Sequence, residues 1–166
     1  HGVHMVPGPG SLSANNHLSY MSALRNNESG IRIQEVPDTM MGGIGVSEQA
    51  RVPGNTMSGI YVSGLGATGT SIAGAHTTDL TTSGNGDHGV YLLTAGVTTI
   101  GTPSADGENY LKDNGSDGVR ITNSTASHQI VNSTIQGNAE NGIAIDVLVA
   151  QSLARGDTDP KFHSLT

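Results

Sequence analysis

The chain has 166 residues, room for one domain, and carries 24 glycines, about 14% of the total and roughly twice ordinary usage. Aromatic residues are 3% and charged residues 13%, with Lys and Arg 7 against Asp and Glu 14, for a formal charge of −7. This excludes an aromatic-anchored core, argues against a nucleic-acid surface, which needs clustered cations, leaves no apolar run of the roughly 18–20 residues a membrane helix requires, and, with no cysteine, excludes disulfides and thiolate metal sites.

The chain opens His-Gly-Val with neither Met nor a signal peptide, which predicts a processed product or a piece of something longer. The first predicted strand follows at once, Gly2-Val3-His4-Met5. Its pattern is Gly, then Val or Ile, a variable residue, then an aliphatic one. It returns as Gly30-Ile31-Arg32-Ile33, Gly59-Ile60-Tyr61-Val62, Gly89-Val90-Tyr91-Leu92, Gly118-Val119-Arg120-Ile121 and Gly142-Ile143-Ala144-Ile145. The Gly-to-Gly steps are 28, 29, 30, 29 and 24. Four residues before the Gly stands Asn26, Asn55, Asn85, Asn114 or Asn138.

Two further aliphatic positions complete each unit. One follows the Gly, at Ile44, Ile72, Ile100 and Ile130; the other precedes the Asn, at Leu24, Val52, Leu80, Leu111 and Ile135. Alternation within these stretches has a period of two, the pattern of a strand. Three short strands per unit, each unit stacked on the next, predict an all-β parallel solenoid of about six coils of ~29 residues. Neighbouring strands lie about 4.8 Å apart, so equivalent residues pile into columns and the aliphatic columns make one core. The Asn column is expected at a turn, each amide donating to one coil and accepting from the other, and so satisfying backbone groups that no ladder reaches. The glycines Gly30, Gly59, Gly89, Gly118 and Gly142 suit a position needing positive φ or a close backbone approach. Residues 1–146 are thus expected to form the solenoid. The segment 147–166 leaves the pattern and is expected to be an exit or capping piece.

Ser83-Gly84-Asn85-Gly86-Asp87-His88-Gly89-Val90 and Asp113-Asn114-Gly115-Ser116-Asp117-Gly118-Val119 resemble the repeats of bacterial right-handed parallel β-helix proteins. Thr99-Ile100-Gly101-Thr102-Pro103 is similar to a turn of the same coils. Asn141-Gly142-Ile143-Ala144-Ile145-Asp146 with Gly156-Asp157-Thr158-Asp159-Pro160 is similar to their closing coil and exit. The resemblance covers residues 55 to 160 best. It implies a right-handed pectate-lyase-like superfold and an extracellular or cell-surface setting. That group holds lyases, epimerases, adhesins and matrix proteins, so function has to come from a site.

With Val and Ile of each phrase pointing inward, the outward row is His4, Arg32, Tyr61, Tyr91, Arg120, Ala144. Arg32, Tyr61, Tyr91 and Arg120 form a candidate carbohydrate strip: Tyr stacks on pyranose rings and Arg pairs with uronate carboxylates. The plainer alternative is a solvated sheet face with β-favouring residues. Glu28, Asp87, Asp117 and Glu140 precede the same strand, with Asp106 and Asp113 elsewhere. By analogy with a lyase, stacked acids would hold Ca²⁺ and Arg120 would act beside the uronate. No catalytic set is assigned: the Asp-Pro-His of sugar epimerases is missing, and Asp159-Pro160-Lys161 does not supply it. No metal site is assigned either. The seven histidines form no metal-binding motif and are expected at the surface. Four tripeptides fit the N-glycosylation pattern, beginning at Asn27, Asn114, Asn123 and Asn132.

The sequence therefore predicts an extracellular structural or adhesive β-solenoid, with copies stacking head to tail on their open ends as a homo-oligomer. The alternative is a β-helix that binds or processes a polysaccharide. Neither reading has a nucleic-acid partner or a membrane span.

Overall fold

The computed structural model describes residues 1–8, 14–42, 50–51, 53–77, 84–102 and 108–146. Ile44, Val52, Leu80, Asp106 and the proposed exit segment 147–166 lie outside them. Among the described residues there are fifteen short strands and no helix.

The strands sort into three parallel sheets, visited in turn along the chain. The first holds β1 (Val3–Met5), β3 (Ile31–Gln34), β6 (Ile60–Ser63), β9 (Val90–Leu93), β12 (Val119–Thr122) and β15 (Ile143–Asp146), in that order. The second runs β2 (Asn16–Leu18), β4 (Thr39–Met41), β7 (Thr70–Ile72), β10 (Thr98–Ile100), β13 (Gln129–Ile130). The third runs β5 (Ala50–Arg51), β8 (Ala75–His76), β11 (Asn109–Lys112), β14 (Ser133–Gln136). The sequence repeat is the pairing register of the first sheet: Val3 faces Ile31, Ile31 faces Ile60, Ile60 faces Val90, Val90 faces Val119, and Val119 faces Ile143.

Strands of two to four residues bury too little to persist alone. Here every strand but β5 contributes an aliphatic or Met side chain to one shared core. Ile31, Ile33, Ile60, Val62, Val90, Leu92 and Val119 from the first sheet are fully or nearly fully buried, as are Met41, Ile72 and Ile100 from the second and Leu111 from the third. Burial is weaker at the two ends of the first sheet, where Val3, Met5 and Ile143 are partly covered and Ile145 is 51% exposed.

Two core positions differ from the sequence reading. Met41 holds the register beside Ile72 that had been expected of Ile44. Ala23 is buried while its neighbour Leu24 is exposed, because Ala23 and not Leu24 stands three residues before its repeat Asn, the core position that Leu111 and Ile135 hold in later units. Ile130 and Ile135 pack against the core but stay partly open.

The sharp corners come from single left-handed residues. Arg25, Gly54, Asp113 and Gly137, each just before a repeat Asn, have φ of 53, 68, 55 and 68°. Glu35, Gly64, Thr94 and Asn123, each just after a strand of the first sheet, have φ of 56, 88, 53 and 54°. One αL residue between two extended segments redirects the chain without a loop. The repeat glycines themselves are not left-handed; what they supply is the missing Cβ. A methyl group on Gly30 would lie 2.7 Å from Asn55 Nδ2 and 2.8 Å from the Gly59 carbonyl.

Candidate functional site

The pleat of the first sheet puts His4, Arg32, Tyr61, Tyr91, Arg120 and Ala144 in one outward row of register neighbours. The side chains of Arg32, Tyr61, Tyr91 and Arg120 are half-buried, because they pack along the row. The Tyr61 and Tyr91 rings lie 5.2 Å apart, tilted by 43°. The Arg32 guanidinium sits 5.2 Å from the Tyr61 ring centre and donates to Gln34 Oε1 at 3.1 Å. Arg120 donates through Nη1 to Asp117 Oδ2 at 3.1 Å and through Nη2 to Asp146. Both guanidinium groups therefore already have protein partners.

Behind this row runs a column that the sequence reading did not identify, the residue before each repeat glycine: His1, Ser29, Ser58, His88, Asp117, Asn141. Ser29, Ser58, His88 and Asp117 are buried. Asp117, with no exposed surface, accepts from Asn141 N at 3.1 Å and Asn141 Nδ2 at 2.9 Å on Oδ1, and from Arg120 on Oδ2. His88 is not the surface residue expected. It is 8% exposed, its Nε2 lies 3.2 Å from Asp87 Oδ1, and its ring meets Tyr91 edge-on at 5.1 Å. Burial pushes its pKa below the ordinary value, against the pull of Asp87 and Asp117. Asp87 and Asp117 are thus brought together around an imidazole. The signal was present in the sequence: a position in fixed register that alternates among Ser, His, Asp and Asn is a hydrogen-bonding column.

The repeat asparagines form a second column. Asn26, Asn55, Asn85 and Asn114 each donate through Nδ2 to Oδ1 of the next one, at 2.8, 3.0, 3.0 and 2.7 Å. Their backbone N–H groups donate to the same oxygens at 2.9–3.1 Å. Asn55, Asn85 and Asn114 are at most 2% exposed.

The remaining polar groups are tied in the same way. Glu28 pairs with His1 at 3.0 Å, and Glu140 accepts from Ser116 Oγ at 2.9 Å. Asp113 is one of the left-handed corners. On the third sheet, Glu108 accepts from Tyr110 at 2.8 Å and Thr134 at 2.5 Å, and these hydrogen bonds hold its carboxyl below the usual range. Thr39, Thr70 and Thr98 make a buried column that ends at His128. His128 Nε2 lies 2.7 Å from Ser124 Oγ, and burial lowers its pKa. Ser124 Oγ also lies 2.8 Å from the Ala95 carbonyl and the residue is 6% exposed, so the pair is enclosed within the fold. Among the described residues no three of His, Asp or Glu gather as a metal-holding group. Of the glycosylation patterns, those starting at Asn27 and Asn114 contain the buried Ser29 and Asn114.

No protein-family model matches the chain, and no solved structure matches it. A stretch of 29 residues, 18% of this chain, is 76% identical to part of a D-hydantoinase from Streptomyces coelicolor. The matched stretch spans 6% of that relative's length, which assigns no family and no activity.

Proposed function

We propose that the chain winds as a right-handed parallel β-helix of about six coils, three short strands to a coil, and that it serves as an extracellular structural or adhesive element whose copies stack head to tail. Right-handed crossovers are the rule where parallel strands are joined. The observation that carries the structural reading is where the polar side chains point. His88, Asp117, Arg120 and the repeat asparagines bond from one unit to the next, so these groups hold the stack together. The extracellular setting rests on the resemblance alone. Among the described residues, β1 and β15 each have one unpaired edge in the first sheet, the kind of edge that recruits another strand. Electron microscopy of the purified chain is expected to show fibres with an axial repeat near 30 Å, about six strand spacings. Monomers alone at millimolar concentration overturn the assembly.

A second reading has one observation in its favour: the unbroken outward row of Arg32, Tyr61, Tyr91 and Arg120. A polysaccharide laid across the strands would meet the two Tyr side chains and two guanidinium groups that must share their present partners. Titration with a uronan, with and without Ca²⁺, should show heat and a loss of binding in Tyr91→Ala. An absorbance assay for unsaturated uronates tests lyase chemistry in the same samples, and no signal in either rules this reading out.

A further inference from the structure

One ring nitrogen in the buried column faces two different partners on the same residue. His88 Nδ1 lies 3.2 Å from the backbone N–H of Asp117 and 3.4 Å from Asp117 Oδ2. The two contacts require opposite protonation states. An unprotonated Nδ1 accepts from the N–H and can only repel the carboxylate; a protonated Nδ1 donates to Oδ2 and leaves the N–H without an acceptor. The other nitrogen does not discriminate, since Nε2–H donates to Asp87 Oδ1 in both states.

We propose that His88 is an acid-sensitive latch between the fourth and fifth repeat units. At neutral pH the ring is neutral and holds the Asp117 N–H. On acidification the proton goes to Nδ1, which turns to Oδ2. Asp117 has no exposed surface, so water does not replace the lost acceptor without local opening. Oδ2 is also the oxygen that Arg120 Nη1 holds at 3.1 Å; it has room for both donors, but the protonated ring sets a second cation against that guanidinium, whose Nη2 remains on Asp146. The change therefore reaches the outward row at Arg120.

The groups facing the ring are Asp87 on its own turn, Asp117 and Arg120 on the next unit, and Glu140 on the one after. The three carboxylates favour the proton, while burial and Arg120 oppose it, and burial is the largest of these influences. The latch thus stays closed around neutrality and releases below the ordinary histidine value of 6.5. It does not depend on the assembly proposed above.

The test is amide hydrogen exchange on the intact chain, corrected for the intrinsic pH dependence of exchange. Protection of the Asp117 amide is expected to fall at least ~10-fold between pH 7.5 and 4.5, the equivalent of one buried hydrogen bond. The Ile31 amide, which donates to Gly59 O far along the stack, reports global opening and should change less. His88→Asn places a non-titrating acceptor in a column that already contains Asn141, and should abolish the pH effect at Asp117. Nitrogen NMR of the wild-type ring gives a second readout that needs no variant, with the proton on Nε2 at pH 7.5 and on both nitrogens at pH 4.5. Equal Asp117 protection at the two pH values, the same loss in His88→Asn, or a proton on Nδ1 at pH 7.5 overturns the latch.

Discussion

Replacing Asn85 by alanine isolates the asparagine column at its centre. The change deletes Oδ1, which accepts from Asn55 N at 3.1 Å and Asn55 Nδ2 at 3.0 Å, and Nδ2, which donates to Asn114 Oδ1 at 3.0 Å. Asn55 Nδ2 keeps the Ala23 carbonyl, and Asn114 Oδ1 keeps the backbone N–H of residue 85. The Asn55 N–H loses its Asn85 acceptor in a residue 1% exposed. Three hydrogen bonds are lost in a buried column, at about 0.5–1.5 kcal/mol each, so the expected loss is about 2–4 kcal/mol. That is a large share of a typical domain stability of about 5–15 kcal/mol. Asn138→Ala, in a part-buried position, should cost clearly less, about 1–2 kcal/mol. Asn85→Asp keeps the shape but sets a carboxylate oxygen against Asn114 Oδ1, so its penalty should be greatest at neutral pH and shrink as the carboxyl protonates. Urea unfolding followed by circular dichroism measures all three. If Asn85→Ala loses no more than an exposed control such as Thr125→Ala, under about 0.5 kcal/mol, the column does not support the stack and the reasoning fails.

Gly30→Ala should destabilise by about 2–4 kcal/mol or abolish folding, since its methyl group meets Asn55 Nδ2 and two main-chain oxygens within 2.8 Å; an unchanged urea midpoint would contradict the close approach. Thr94→Gly should stabilise by up to about 1 kcal/mol, because a β-branched residue at φ 53° carries a strain that glycine does not, and differential scanning calorimetry would show it as a raised Tm. Ile72→Ala removes a fully buried side chain and should cost about 2–5 kcal/mol by urea titration. Burial depresses the pKa of His128, so its contribution to stability is full above the unfolded value of 6.5 and is lost as pH falls below it. His128→Thr, the residue of the preceding units, should flatten that part of the pH–stability curve, and an unchanged slope would assign it elsewhere.

The parallel strands and their register were legible because the repeat is carried by side chains that must coincide in space. A Gly that must admit a neighbouring carbonyl and an Asn that must reach its counterpart tolerate few alternatives, so both recur. Core positions without such a partner were less legible. Met41 took the register assigned to Ile44, and Ala23 was passed over for the more apolar Leu24, because the reading followed apolarity where spacing from the repeat Asn decides. Arg32, Tyr61, Tyr91 and Arg120 are register neighbours, which the repeat made legible, but the pairing of Arg120 was not visible, since Asp117 and Asp146 come from different units. His88 was misjudged because a histidine without a metal motif looks like a surface residue; only its register with Ser58 and Asp117 shows that it is enclosed. The Thr39, Thr70 and Thr98 column was hidden by the abundance of Thr throughout the chain.

Asn26, Asn55, Asn85 and Asn114 each turn one amide N–H toward the next higher-numbered unit and their Oδ1 is the acceptor for the unit before, where there is one. Side-chain bonds repeated in one sense give the column a direction from lower- to higher-numbered units. If copies stack as proposed, only a join in the same sense continues the ladder of amides, because an inverted copy would present an acceptor to an acceptor or a donor to a donor. Polarity of growth would then be written into the amide geometry, before any contact between surfaces is made.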